Sequence, residues 1–208
     1  MGVIRDSLSN LDDEKALAEV KKALDANTAP AKILEECQEA MVAIGDAFSA
    51  GTMFVSDLMM AGAIFEDISK LVLPKIKAAG TGKSGGKVVL GTVKNDIHNI
   101  GKDIVANMLT ASGFEVIDVG VDVPAENFVK AVKDNNAKVV ALSCLLVTCY
   151  DSIKDTVEAL KKAGLRDKVK VIIGGGPVDQ HVVEYAGTDA FGSDPQECIH
   201  FCEEAYAK

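Results

Sequence analysis

The chain has 208 residues, 48% apolar and 25% charged, with a formal net charge of −9 at neutral pH. This is the composition of a globular chain able to bury a real core, and its acidic balance argues against nucleic acid or an anionic membrane surface as partner. No apolar run approaches the ~20 residues a bilayer-spanning helix needs, "MGVIRDSLSN" lacks the apolar stretch of a signal peptide, and five cysteines without a CxxC pair argue against a disulfide framework; a cytoplasmic location is expected.

Residues 1–83 read as helical throughout. The opening residues suit a short helix. "LDDEKALAEVKKALDAN" begins at Asp12 and Asp13 and puts Leu17, Val20 and Leu24 on one face. "APAKILEECQEAMVAIGDAFSAG" has Pro30 near its start, then Ile33, Cys37, Met41, Ile44 and Phe48, with Gly51 as a stop. "FVSDLMMAGAIFEDISKLVLPKI" is a further long helix. These segments predict a small helical bundle.

"AAGTGKSGGK", residues 78–87, reads as a flexible linker and hinge. It lacks the G-x-x-x-x-G-K-[ST] spacing of a phosphate loop and precedes a strand rather than following one. Over 84–208 the β-branched runs "KVVLGT", "EVIDVG", "KVVALSCLL" and "KVKVIIGG", with a weaker "DAFG", alternate with helical stretches. The expected fold class is α/β: an N-terminal helical bundle over 1–83, then a doubly wound, Rossmann- or flavodoxin-like parallel sheet of five strands over 84–208. In the last helix Cys198 and Cys202 share a face and read as buried thiols, with His200 directed elsewhere.

Parallel sheets of this kind bind ligands beyond the carboxyl ends of their strands. Those ends hold the unusual residues: "GTVKNDIHNIG" after strand one, "SCLLVTC" after strand three, "GGGP" after strand four and "FGSDP" after strand five. Glycines there allow close approach to the backbone, and Ser143 and Thr148 supply hydroxyl groups. His98 admits two readings. It is a loop histidine ahead of a helix, or a metal ligand oriented by Asp96, because a ligating imidazole usually gives its other ring N–H to a carboxylate. A lone histidine cannot make a zinc site. It can be the single axial ligand of a metal that a macrocycle already holds. A receiver-type phosphoacceptor site needs an acidic pair after strand one and an aspartate where Ser143 stands.

D-x-H-x-x-G (Asp96, His98, Gly101), S-x-L (Ser143, Leu145) and the glycines 174–176 together resemble the signature of the cobalamin-binding α/β domain. The helical segment resembles the cap module of corrinoid proteins in methyltransferase systems, including that of methionine synthase. The resemblance implies a cobalamin or related corrinoid, cycling between methylcob(III)alamin and cob(I)alamin, with His98 as the lower axial ligand of cobalt. It implies cofactor contacts at Thr92, Val93, Ile97, Asn99 and Ile100 as well as Asp96 and Gly101. Further contacts are implied at Ser143, Leu145, Thr148, Cys149, Gly174, Gly175, Gly176, Phe191 and Gly192. Phe54, Leu58 and Ala61 of "GTMFVSDLMMAG" are the implied cover of the upper face. Where relatives often carry Ser or Thr behind the histidine and its carboxylate, this chain has Cys149, beside Thr148.

The implied role is a methyl carrier between a substrate-specific methyltransferase and a second one acting on a thiol or tetrahydrofolate, served by a reductive activase; no nucleic acid and no membrane is expected as partner. Such a chain is not a catalyst alone. The alternatives are the small subunit of a cobalamin-dependent mutase, a cobalamin light sensor, and a flavodoxin- or receiver-like module without cobalt. The helical cap favours the carrier over the mutase, and the acidic chain without a DNA-binding segment favours it over the sensor.

Overall fold

The computed structural model describes residues 2–79 and 85–207, the side chains of 76–79 excepted; the centre of the expected linker, 80–84, lies outside the described residues. The chain divides into two compact units, Met1–Lys83 with Ala111–Gly113, and Ser84–Thr110 with Phe114–Lys208.

The first unit is a bundle of α1 (Val3–Ser9), α2 (Asp13–Asp25), α3 (Pro30–Ser49) and α4 (Val55–Ala79). Its helix starts follow local chemistry. The Asp12 carboxylate caps α2 by accepting the Lys15 N–H at 3.1 Å. Pro30 opens α3, where its missing N–H is not needed. At α4 the Phe54 N–H donates back to the Asp57 carboxylate at 2.8 Å, half of a capping box. The interior is built from Ile33, Cys37, Met41 and Ile44 of α3 and from Leu58, Ala61, Phe65, Ile68 and Val72 of α4. The face of α2 differs from the expected one: Ala16 and Val20 are buried, while Leu17 and Leu24 are only half-buried.

The second unit is a five-stranded, all-parallel sheet of β1 (Lys87–Thr92), β2 (Glu115–Asp118), β3 (Val139–Ser143), β4 (Lys170–Gly174) and β5 (Ala190–Gly192). Five helices join or follow the strands: α5 (Ile100–Ala111), α6 (Ala125–Asn135), α7 (Tyr150–Lys162), α8 (Gln180–Ala186) and α9 (Pro195–Ala207). The strand order is β2-β1-β3-β4-β5. The central strands are buried on both faces, as in Val88–Leu90, Val139–Leu142 and Val171–Ile173, which explains their unbroken apolar runs. Strand addition reverses direction between β1 and β3, the switch point of a doubly wound sheet.

Register places Thr92, Ser143, Gly174 and Gly192 opposite one another in a single row across the carboxyl edge. At the other edge, the Tyr206 hydroxyl of α9 accepts the N–H of Lys87 (2.9 Å) and of Lys138 (3.0 Å) and donates to the Lys87 carbonyl at 2.5 Å. Among the described residues no helix is long and apolar enough to cross a membrane.

Candidate functional site

The site begins with a turn. After β1, the Asp96 N–H closes on the Val93 carbonyl at 3.2 Å, with Asn95 at φ +68°; asparagine is one of the few residues that tolerate this conformation. The turn sends the Asp96 side chain back into the sheet edge, where it is fully buried. Its Oδ2 accepts the N–H of Leu145 at 2.6 Å and of Leu146 at 3.2 Å, both just beyond β3. Its Oδ1 lies 3.1 Å from the His98 N–H and 2.6 Å from His98 Nδ1. Burial alone pushes the Asp96 carboxyl up. The hydrogen bonds from Leu145, the His98 ring, the His98 N–H and Leu146 outweigh it and hold the group below the usual carboxylate range.

An ionised Asp96 makes Nδ1 the protonated nitrogen of a neutral His98, which leaves Nε2 as the nitrogen able to bind a metal. The ring is 47% exposed. The Thr92 hydroxyl, buried beneath the loop, donates to the His98 carbonyl at 3.0 Å. Asn99 points its amide to Asp103, at 2.9 Å across the first turn of α5.

Around this imidazole the loops are apolar where loops are usually polar. Ile97, Ile100, Val121, Leu145, Leu146 and Val147 are all exposed, and each follows the carboxyl end of β1, β2 or β3. Such a rim fits a flat apolar ligand set against one nitrogen. Gly101 faces open space: a Cβ there would meet nothing within 4 Å. Gly175 is the opposite case. It has φ +139°, and a Cβ would lie 1.9 Å from the Cys144 carbonyl oxygen. Gly176 lies close to Leu145, with its Cβ position 3.7 Å from Leu145 Cδ1. The Tyr150 hydroxyl donates to the Pro177 carbonyl at 2.6 Å and ties these two loops together.

Other expected contacts are placed less directly. Ser143 is half-buried at the end of β3 and Gly192 lies in the same row. Val93 is buried in the core cluster and Phe191 packs against that cluster, so both hold the edge in place from within. Thr148 is exposed, 4.0 Å from the buried Cys149 sulfur. Among the described residues neither gives a hydrogen bond to Asp96, whose second oxygen ends on two main-chain amides. Cys144 is inert as a nucleophile: burial first, then the Asp96 charge and Cys149, push its thiol up to about 12.

In the bundle, the expected cover residues differ in exposure. Leu58 and Ala61 are 2% and 0% exposed because they begin the inward stripe that continues through Phe65, Ile68 and Val72. Phe54, one residue ahead of the helix, is 75% exposed. The outward apolar residues of that turn are Val55, Met59 and Met60, off the stripe that holds Leu58 and Ala61. Val121, Leu146 and Val147 were missed too; their signal is apolar character inside a glycine- and aspartate-bounded loop.

Cys198 and Cys202 are buried and His200 is exposed beside Glu203. Among the described residues no group of three His, Cys, Asp or Glu could hold a bare metal ion. One protein nitrogen on an apolar platform suits a metal that arrives already held by a macrocycle, and the residues present fit a corrinoid.

Comparison with known proteins agrees. A family model described as a B12 binding domain matches residues 86–197, and a second model of that description matches residues 3–71. The chain is 36% identical over 197 residues to the trimethylamine corrinoid protein of Methanosarcina barkeri, covering 94% of this chain and 91% of the relative. It is 35% identical to dimethylamine corrinoid protein 2 of Methanosarcina acetivorans, covering 97% and 93%. A solved cobalamin-binding protein from Desulfitobacterium hafniense DCB-2 matches with a TM-score of 0.77 at 36% identity, over 97% of this chain and 96% of that one. A methanol:cobalamin methyltransferase complex from Methanosarcina barkeri shares the fold, with a TM-score of 0.83 at 24% identity, over 99% of this chain and 78% of that one. With its buried Asp96 behind a half-exposed His98, the chain belongs to the B12-binding corrinoid proteins, and its cofactor is a corrinoid.

Proposed function

We propose that the chain is a cytoplasmic methyl carrier, accepting a methyl group from a substrate-specific methyltransferase and delivering it to a second methyltransferase whose acceptor is a thiol or tetrahydrofolate. Support comes from its relatives: over 94% of its length it aligns with a trimethylamine corrinoid protein, which favours a methylamine as the methyl source. When bound, the corrinoid supplies a cobalt centre that can take up and release a methyl group. A reductive activase would restore any oxidised cofactor.

In this reading His98 would hold the metal through Nε2, with Asp96 fixing its tautomer through the 2.6 Å contact at Nδ1; that pairing is the observation that carries the site assignment. Ile97, Ile100, Leu145 and Val147 form the apolar platform. Ser143, Leu145 and Gly174–Gly176 line the slot for the nucleotide tail. In the helical unit, Phe54, Leu58 and Ala61 are the residues proposed as the cofactor's apolar cover.

The test has two parts. Reconstituted with hydroxocobalamin, His98→Ala should keep some corrinoid with an altered visible spectrum; a spectrum identical to wild type would sink the ligand assignment. The reduced, loaded chain, mixed with trimethylamine and its methyltransferase from a relative, should retain radiolabelled methyl on gel filtration. Failure to retain label from methylamines, methanol or betaine with their respective methyltransferases overturns the carrier role.

A further inference from the structure

The loop bearing His98 is fastened at both of its ends to β2 and the loop that follows it. Ahead of the histidine, the Asp122 carboxylate pairs with Lys94 at 2.8 Å and accepts the Asn95 N–H at 2.8 Å. The Asp122 N–H donates in turn to the Asp96 carbonyl at 2.8 Å. After the histidine, Lys102 is buried and joins Asp103 at 2.6 Å and Asp118, the last residue of β2.

Asn95 and Asp122 both have positive φ, +68° and +52°. Asparagine and aspartate tolerate that region better than most residues, but it persists only where surrounding bonds impose it. Here each is held by a bond to the other loop, the Asn95 N–H by the Asp122 carboxylate and the Asp122 N–H by the Asp96 carbonyl. Asp122 is 44% exposed and Lys94 46%, so the ion pair itself is weak. The directional bond to the Asn95 N–H, at the turn immediately before Asp96, is the larger constraint.

We propose that Asp122 is a positioning residue for the axial histidine: from the loop that follows β2 it holds the turn at Asn95 and Asp96, so that His98 is presented with its ring ready to ligate. The proposal rests on His98 being the cobalt ligand. Outer groups that orient a ligating side chain act through it and not on the metal, so the effect belongs in the fraction of cofactor that carries the protein's nitrogen.

The experiment uses full-length protein labelled with heavy nitrogen, loaded with unlabelled cobalamin and reduced to the cobalt(II) form. Electron paramagnetic resonance then separates the two possible axial nitrogens. A protein nitrogen gives a two-line splitting, and the cofactor's own base gives three lines. Wild type should show two lines. In Asp122→Ala the ratio of two-line to remaining signal should fall about threefold, within the range of one hydrogen bond and an exposed ion pair. Lys94→Ala should fall less, and Asp122→Asn, which keeps an acceptor for the Asn95 N–H, should recover most of the wild-type ratio. An undiminished two-line signal in Asp122→Ala overturns the positioning role and leaves the His98 assignment standing. No two-line signal in wild type overturns the His98 assignment itself. Should Asp122→Ala fail to fold by urea titration, Asp122→Gly, which suits the positive φ and lacks the acceptor for the Asn95 N–H, carries the comparison, and a wild-type ratio there also overturns the proposal.

Discussion

Asp96 turns one oxygen to His98 Nδ1 at 2.6 Å and the other to the N–H groups of Leu145 and Leu146, at 2.6 and 3.2 Å. A single carboxylate thus serves the candidate ligand after β1 and closes the chain end after β3. Removing it should damage the fold as well as the site. Asp96→Ala leaves the N–H groups of Leu145 and Leu146 without their acceptor and should cost about 2 kcal/mol in urea unfolding of the cofactor-free chain. Asp96→Asn keeps an acceptor and should cost clearly less. Equal losses in the two variants would mean that these amides find other partners.

The same carboxylate sets a pH dependence. Its folded pKa lies below the unfolded value because the hydrogen bonds outweigh burial. The stability it contributes is therefore fully present above the unfolded value, ~3.9, and is lost as pH falls through the folded one. The stability difference between wild type and Asp96→Asn should be flat around neutrality and shrink on acidification below ~4. A difference that widens with acid would show that burial dominates.

Two glycines at the site should respond in opposite ways. Gly175→Ala forces a Cβ onto the Cys144 carbonyl at φ +139° and should cost about 3 kcal/mol or more. Gly101→Ala meets open space in the first turn of α5, and should leave the cofactor-free chain as stable or up to about 1 kcal/mol more so. It should nonetheless weaken hydroxocobalamin binding about tenfold, or ~1.4 kcal/mol. Spectroscopic titration beside urea unfolding separates the two effects; unchanged binding by Gly101→Ala would mean that the space is not the cofactor's.

Tyr206 makes a third case, far from the site. Its hydroxyl meets the Lys87 and Lys138 N–H groups and the Lys87 carbonyl, joining the starts of β1 and β3 to α9. Tyr206→Phe should cost about 2 kcal/mol, with faster hydrogen exchange at the amides of Lys87 and Lys138. Cofactor affinity, measured by titration, should not move.

The sequence by itself determined what near neighbours determine. Helical periodicity marked the bundle helices, β-branched runs marked four strands with a weaker signal for the fifth, and the spacing of Asp96, His98 and Gly101 drew attention to the end of β1. Each signal is carried by residues within a turn or two of one another. The tertiary structure alone decided what depends on partners distant in sequence. It set the row of Thr92, Ser143, Gly174 and Gly192, because register between parallel strands follows from how their crossover helices pack. It set the Asp96 carboxylate against the amides of Leu145 and Leu146, some fifty residues on, a pairing that no spacing in the sequence encodes. It turned Leu58 and Ala61 inward, because which apolar stripe of α4 is buried depends on the helices that pack against it. And it brought Asp122 to Asn95, across the edge of the sheet, a meeting that no local pattern encodes.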